Sequence, residues 1–348
     1  MPLLNRTWKG RRLLAIDGGG PCHGMTTIIL MEELMRLMQR ELGQPELPRP
    51  GEVFDLMVGS GMGGLLAIMW GRLMMTIEES KKYFNEISSE VFSEKKRTAA
   101  SNTMFKASKL EDAARKMLTE YLGNENARMN DPHSSSETCK TFVCVTPTAT
   151  IRAGMVEFLR SYPATQRPGP DCSIVEAIRA TCASVGLLKP VKILEPGNIT
   201  TSYMDGGINN NNPTPRLLEE AGLVFPAQDV VCVINLGAGR PRTISAPDFG
   251  SPNFSWSSEL STMLMALATD CERTAQEMET RFAHIPEVYF RFSVDQGLED
   301  ITLWDWEKNV VSHTHAYLRL LDNSTKINRA AQVLVKDEMK VPVERIGT

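Results

Sequence analysis

"VFDLMVGSGMGG", residues 53 to 64, decides the fold. An apolar run stops at a cluster of glycines and the helical spacing of "LLAIMWGRLMM" follows, so the stretch reads as strand, tight turn and helix. Its glycines satisfy two patterns. Gly59, Gly61 and Gly64 fit the dinucleotide fingerprint G-x-G-x-x-G; Gly59 and Gly63 frame a nucleophile elbow, G-x-S-x-G, with Gly61 where the serine would stand. A dinucleotide fold needs a second strand ending in an acidic residue about 20 positions beyond the glycines. Helix occupies that place instead: "TIEESKKYFNEISSEVF" opens on Thr76 with Glu79 three residues on, a capping box.

Working outward, "RLLAIDGGG" is a strand halted by three glycines, and "MTTIILMEELMRLMQRELG" is a helix closed by Gly43. Strands recur at "KTFVCVT", "MVEFLRSY", "KPVKIL", "SYMDGG" and "VVCVINLGAG", with helical stretches such as "SIVEAIRATCAS" and "TPRLLEEAGL" between them. This alternation predicts an α/β sandwich with a mainly parallel sheet. From "SSELSTMLMALATDCERTAQEMETRF" onward the chain reads as helical, broken by "EVYFRFSV". The expectation is one domain over residues 1–348, with its motifs in 11–240 and a helical extension over 255–348. Polar, turn-rich stretches at 92–106 and 123–139 read as surface loops bordering a site, either lid or inert insertion.

With 348 residues, 42% hydrophobic and 23% charged, the composition is that of a soluble globular chain. A net charge of -4 gives no footprint for nucleic acid, and the one basic run, "EKKR" at 94–97, reads as a solvated face. Seven cysteines without a C-x-x-C pair suggest neither a disulfide framework nor a zinc site, so a reducing compartment, the cytosol, is expected. The apolar run near the N-terminus is too short for a signal peptide, and nowhere do roughly 18 apolar residues run together as a membrane span. No metal or cofactor is called for.

Three segments in order, "LLAIDGGG" at 13–20, "FDLMVGSGMGGLLAIMWGRL" at 54–73 and "YMDGGINNNNPTPRLLEEA" at 203–221, make the chain resemble the patatin-like phospholipases, its fungal members most. "FVCVTPTATIRAGMVEFLRSY" and "AIRATCASVGLLKPVKI" support the likeness, which covers roughly residues 11–240. The resemblance implies a patatin-like three-layer α/β/α sandwich and a lipid acyl hydrolase with a Ser-Asp dyad. In that family a serine on the elbow attacks the ester, the aspartate of a D-G-G/A motif activates it, and a turn D-G-G-G-x-R-G supplies oxyanion donors. Each such donor contributes roughly 3 kcal/mol.

Against that pattern the chain departs twice. The nucleophile position is Gly61, with Ser60 one residue early, and "DGGGPCHG" is one residue longer than the family turn, with Cys22 and His23 in place of a single basic residue. Asp205 stands intact in "MDGG". Three explanations stay open: an engineered serine knock-out, a binding-only descendant, and an enzyme turned to another reaction on an acyl, lipid or polyketide-like ligand. In the third, Asp205, His23 and Cys22 are the candidate catalytic residues. Gly18, Gly19, Gly20 and Gly24 of the turn, with Ser60, Gly61 and Met62 of the elbow, are the candidate oxyanion and ligand-binding residues.

Each candidate has a plainer reading. Asp17 and Asp205 are short acids that readily accept backbone N–H bonds in glycine turns; for Asp17 this is the preferred one. Cys22 is either a small buried hydrophobe or a site thiol. His133 lies in a polar loop; His284, His313 and His315 read as structural. "LWDW" at 303–306 and "LMEELMRLM" read as core.

Overall fold

Short apolar runs ended by glycine or polar turns are too short for stable helices and pair as strands, and the amphipathic stretches between them cover the sheet they form. The structure, a computed structural model, describes residues 8–95, 103–131, 139–237 apart from 153, 154, 165, 167 and 196, then 239, 258–294 and 310–346. "LWDW" and His133 lie outside the described residues, as do parts of "EKKR" and of both polar stretches.

The chain opens with β1 (Arg11–Ile16), α1 (Pro21–Leu42) and the short α2 (Pro50–Val53). β2 (Leu56–Gly59) then turns into α3 (Gly61–Ala67), which runs on as a π-helical turn, Ile68–Arg72. Next come α4 (Ile77–Phe92), α5 (Ala107–Leu122), β3 (Lys140–Pro147), β4 (Glu157–Arg160), α6 (Ile174–Thr181), β5 (Val191–Glu195) and β6 (Ile199–Asp205). They are followed by α7 (Gly207–Asn210), α8 (Thr214–Val224), β7 (Asp229–Leu236), α9 (Ser258–Ala268) and α10 (Glu272–Phe282). The last elements are β8 (Tyr289–Phe292), α11 (Val310–Arg319), α12 (Leu321–Lys336), β9 (Val341–Pro342) and α13 (Val343–Ile346).

One mixed sheet orders these strands β5-β6-β3-β2-β1-β7-β8, with β4 beside β3 and β9 beside β7. Its centre, β3-β2-β1-β7-β8, is parallel. Two apolar clusters, one on each face, make the three layers: α1, α3 to α6 and α12 pack on one side, and α8, α10 and α13 on the other. The elements read from the sequence are there, including the Thr76–Glu79 capping box of α4 and the left-handed Gly43 that ends α1. The C-terminal segment is helical as expected, and its β8 lengthens the sheet beyond β7 while α12 packs on α1. No described helix is long and apolar enough to cross a membrane.

Register places the site. Ile16 of β1 pairs with Gly59 of β2 and with Leu236 of β7, so these strands end at one level. β6 runs against β3, and its last residue, Asp205, pairs with Val145, two residues beyond the Val143 that faces Gly59. Two residues past Gly59 is Gly61. The sheet therefore brings Asp205 level with the elbow.

Candidate active site

The elbow is built around conformations that glycine adopts most readily. Gly61 sits at φ +55°, in the left-handed region that costs other residues roughly 1–2 kcal/mol. At Gly59 a Cβ would come within 2.2 Å of the Gly63 carbonyl oxygen, because α3 folds straight back over the strand that feeds it. Both G-x-G spacings thus follow from a sharp strand-to-helix turn.

Asp205 grips that turn. Its Oδ1 accepts the N–H of Gly61 at 3.1 Å and of Gly207 at 2.9 Å, and its Oδ2 accepts the Ser184 hydroxyl at 2.5 Å. Burial pushes its pKa up, against the pull of the Ser184 hydroxyl and of the two amides. Sequence pattern does not reveal Ser184, because a serine three residues beyond the end of α6 gives no signal until β6 is folded beside it. A Cβ on Gly61 would stand 3.5 Å from Asp205 Oδ2 and 3.3 Å from the Gly19 amide nitrogen. Gly18 donates its N–H to the Asn211 carbonyl at 2.7 Å and Gly20 donates to His23 Nδ1 at 3.1 Å, whereas the Gly19 N–H has no partner among the described residues. The Gly19 amide, the Gly19 carbonyl oxygen at 3.4 Å and Asp205 Oδ2 therefore lie nearest to where a side chain on residue 61 would begin.

The other candidates divide. His23 caps α1 through that Gly20 bond, and its ring lies against Gly19, where a Cβ would approach Nδ1 to 2.5 Å. It is half-buried, and burial lowers its pKa to about 4, leaving the ring neutral near pH 7. Since Nδ1 accepts, Nε2 carries the hydrogen. Cys22 has no exposure and belongs to the apolar cluster under α1, so the two residues do not form a polar pair on one surface. Ser60 is fully buried and donates its hydroxyl to the Asn210 carbonyl at 2.7 Å. Met62 is buried, its N–H 3.4 Å from the Gly19 oxygen and its sulfur 3.9 Å from the Cys182 thiol. Gly24 makes room for the Phe84 ring, at 2.3 Å from its missing Cβ, and serves the packing of α1 on α4.

Asp17 corrects a sequence reading. Its carboxylate takes no bond from the turn amides; it accepts from Arg291 at 2.7 Å and from Asn235 at 2.8 Å, all three side chains being buried. Burial raises its pKa and Arg291 opposes the rise.

A glycine-rich turn, an elbow and an aspartate in this arrangement accord with a family model described as "Patatin-like phospholipase", which matches residues 14–218. The chain belongs to the patatin-like phospholipase family. Calcium-independent phospholipase A2-gamma of Rattus norvegicus is 26% identical over 240 residues, 67% of this chain and 29% of that protein. The rabbit and human forms are covered over 34% and 35% of their length, so the chain spans about a third of these curated relatives. "Probable inactive patatin-like protein 9" of Arabidopsis thaliana is 27% identical over 253 residues, 68% of this chain and 62% of that protein. The crystal structure of VipD from Legionella pneumophila superposes with a TM-score of 0.42 at 9% identity, over 94% of this chain and 67% of that one.

Proposed function

We propose that this patatin-like protein binds an acyl, lipid or polyketide-like molecule and acts on it by acid/base chemistry, with no acyl-enzyme formed at the elbow. The observation that carries this reading is the bare Gly61 between the Gly19 amide and Asp205 Oδ2. A ligand carbonyl in that space would accept the Gly19 N–H, and a neighbouring C–H would face a carboxylate whose buried setting favours taking a proton. Proton abstraction beside a carbonyl leads to isomerisation, elimination or cyclisation, none of which needs a nucleophilic side chain of the protein. Asp205 is the base, which takes the proton and returns it to the product; His23, neutral with its hydrogen on Nε2, donates a hydrogen bond and no proton. Cys22 is assigned to packing.

Screening the purified protein for turnover of acyl and polyketide-like compounds tests this. On the substrate so found, Asp205→Asn should lower turnover about 100-fold or more, the usual contribution of a positioned acid or base. Full activity in that variant defeats the reading. The likeness to a relative named as probably inactive favours a second one, a binding-only protein, for which ligands bind and none is turned over.

A further inference from the structure

A hollow lies away from Gly61 and Asp205, between α5, α6 and β5, with a volume of about 410 Å³. That is within the range of about 300–1,000 Å³ typical of small-molecule sites. Four cations line it, Arg115, Arg128, Arg179 and Lys192, against two carboxylates, Glu111 and Glu176. Both carboxylates are engaged: Glu111 accepts from Arg115 at 2.8 Å, and Glu176 closes the N-cap of α6 by accepting from the Ser173 amide at 2.7 Å and its hydroxyl at 2.8 Å. Arg128 pairs with Asp171 at the rim, 2.8 Å apart and both well exposed.

Arg179 is the anomaly. Its residue is only 4% exposed, yet no carboxylate lies within ion-pair distance among the described residues. One guanidinium nitrogen, Nη2, donates to the Lys189 carbonyl at 3.2 Å, while Nε and Nη1 are buried without a partner. A buried charge left uncompensated is among the costlier features of a protein interior. Arg179 is also one of the residues lining the hollow, as is Lys192, which has no ion pair among the described residues. A planar fork with unsatisfied N–H groups, in a hollow that an ammonium also lines, suits a tetrahedral oxyanion.

We infer that this hollow binds a phosphate group carried on a larger molecule, with Arg179 as the buried anchor and Lys192 and Arg128 at the rim. The bare ion fills too little of the space to be the whole ligand. None of the lining residues belongs to the site around Asp205, so this inference stands whether or not the proposed chemistry does. The phosphate is supplied either by a soluble phosphomonoester or by a lipid headgroup.

Titrating inorganic phosphate into the intact chain, against chloride at equal ionic strength, with ³¹P linewidth and melting temperature as readouts, tests it. Phosphate should broaden and stabilise where chloride does not. The exposed pair Arg128→Gln with Lys192→Gln should weaken binding about tenfold, and so should Arg179→Lys, which keeps the charge and loses the fork. The rim variants keep the test decisive even if the buried one folds poorly. No phosphate effect beyond chloride, or rim variants that bind as wild type, overturns the inference. Displacement of phosphate by glycerol 3-phosphate supports a soluble source; co-sedimentation with phosphatidylcholine vesicles containing phosphatidic acid, lost in the rim variants, supports the headgroup. Phosphate binding with neither means an adventitious ion only, and sinks the proposal.

Discussion

Asp205 accepts the Gly61 N–H at 3.1 Å through one oxygen and holds its other oxygen 3.5 Å from the point where a Cβ on Gly61 would stand. The carboxylate is thus aimed at a side chain that residue 61 lacks. A serine introduced there would meet the aspartate at once, and would also have to adopt φ +55°.

Gly61→Ser should therefore fold with a small loss, about 1 kcal/mol from the left-handed backbone, and gain only weak esterase activity. Of the turn amides, Gly18 and Gly20 are already committed, leaving Gly19 as a single donor. A missing oxyanion donor costs about 100- to 1,000-fold in turnover. Esterase assays on short acyl esters check this; strong hydrolysis by the variant would favour simple loss of one side chain.

Fluorophosphonate probes should leave the wild-type chain unlabelled. Ser60 is buried with its hydroxyl given to the Asn210 carbonyl, and Ser184 gives its own to Asp205. Mass-spectrometric detection of an adduct on either serine would revive covalent hydrolysis.

His23 predicts a pH dependence. Its folded pKa, about 4, lies below the ordinary 6.5, so the unfolded chain binds the extra proton. The stabilising effect is full above pH 6.5 and is lost as pH falls toward 4, by up to roughly 3 kcal/mol. Asp205, raised above its ordinary 3.8, works the other way and gains as pH falls. Comparing wild type with His23→Gln, which keeps an acceptor for the Gly20 amide, isolates the histidine. Denaturation midpoints at pH 7 and 4.5 should diverge more for the wild type.

Arg291→Met should destabilise by about 3–5 kcal/mol, because it strands the Asp17 carboxylate in the interior. Asp17→Asn in that background should recover part of the loss. Urea midpoints of the two variants give the comparison, and equal midpoints would deny the coupling.

The layer order, β1 to β8 and the place of the elbow were legible because each rests on local chemistry: apolar runs, glycine stops and the Thr76–Glu79 cap. The partners of the key acids were not. Ser184 and Arg291 reach Asp205 and Asp17 from 21 and 274 residues away along the chain, and local pattern says nothing about register over such spans. Cys22 and His23 are adjacent in sequence and both are catalytic candidates there, yet the fold separates them. A helix turns consecutive side chains by about 100°, so one entered the core and the other capped the turn.

The Asp17–Arg291 pair also bears on how the protein is made. A ribosome adds roughly 5–20 residues per second, so on the order of tens of seconds separate the emergence of the acid from that of the base. Through that interval Asp17 has no Arg291 to pair with, so burying its carboxylate costs more than in the finished chain. Residues 14–218, the part that matches the family, emerge well before Arg291, so the acid at their first strand gets its ion-pair partner only from a segment beyond them.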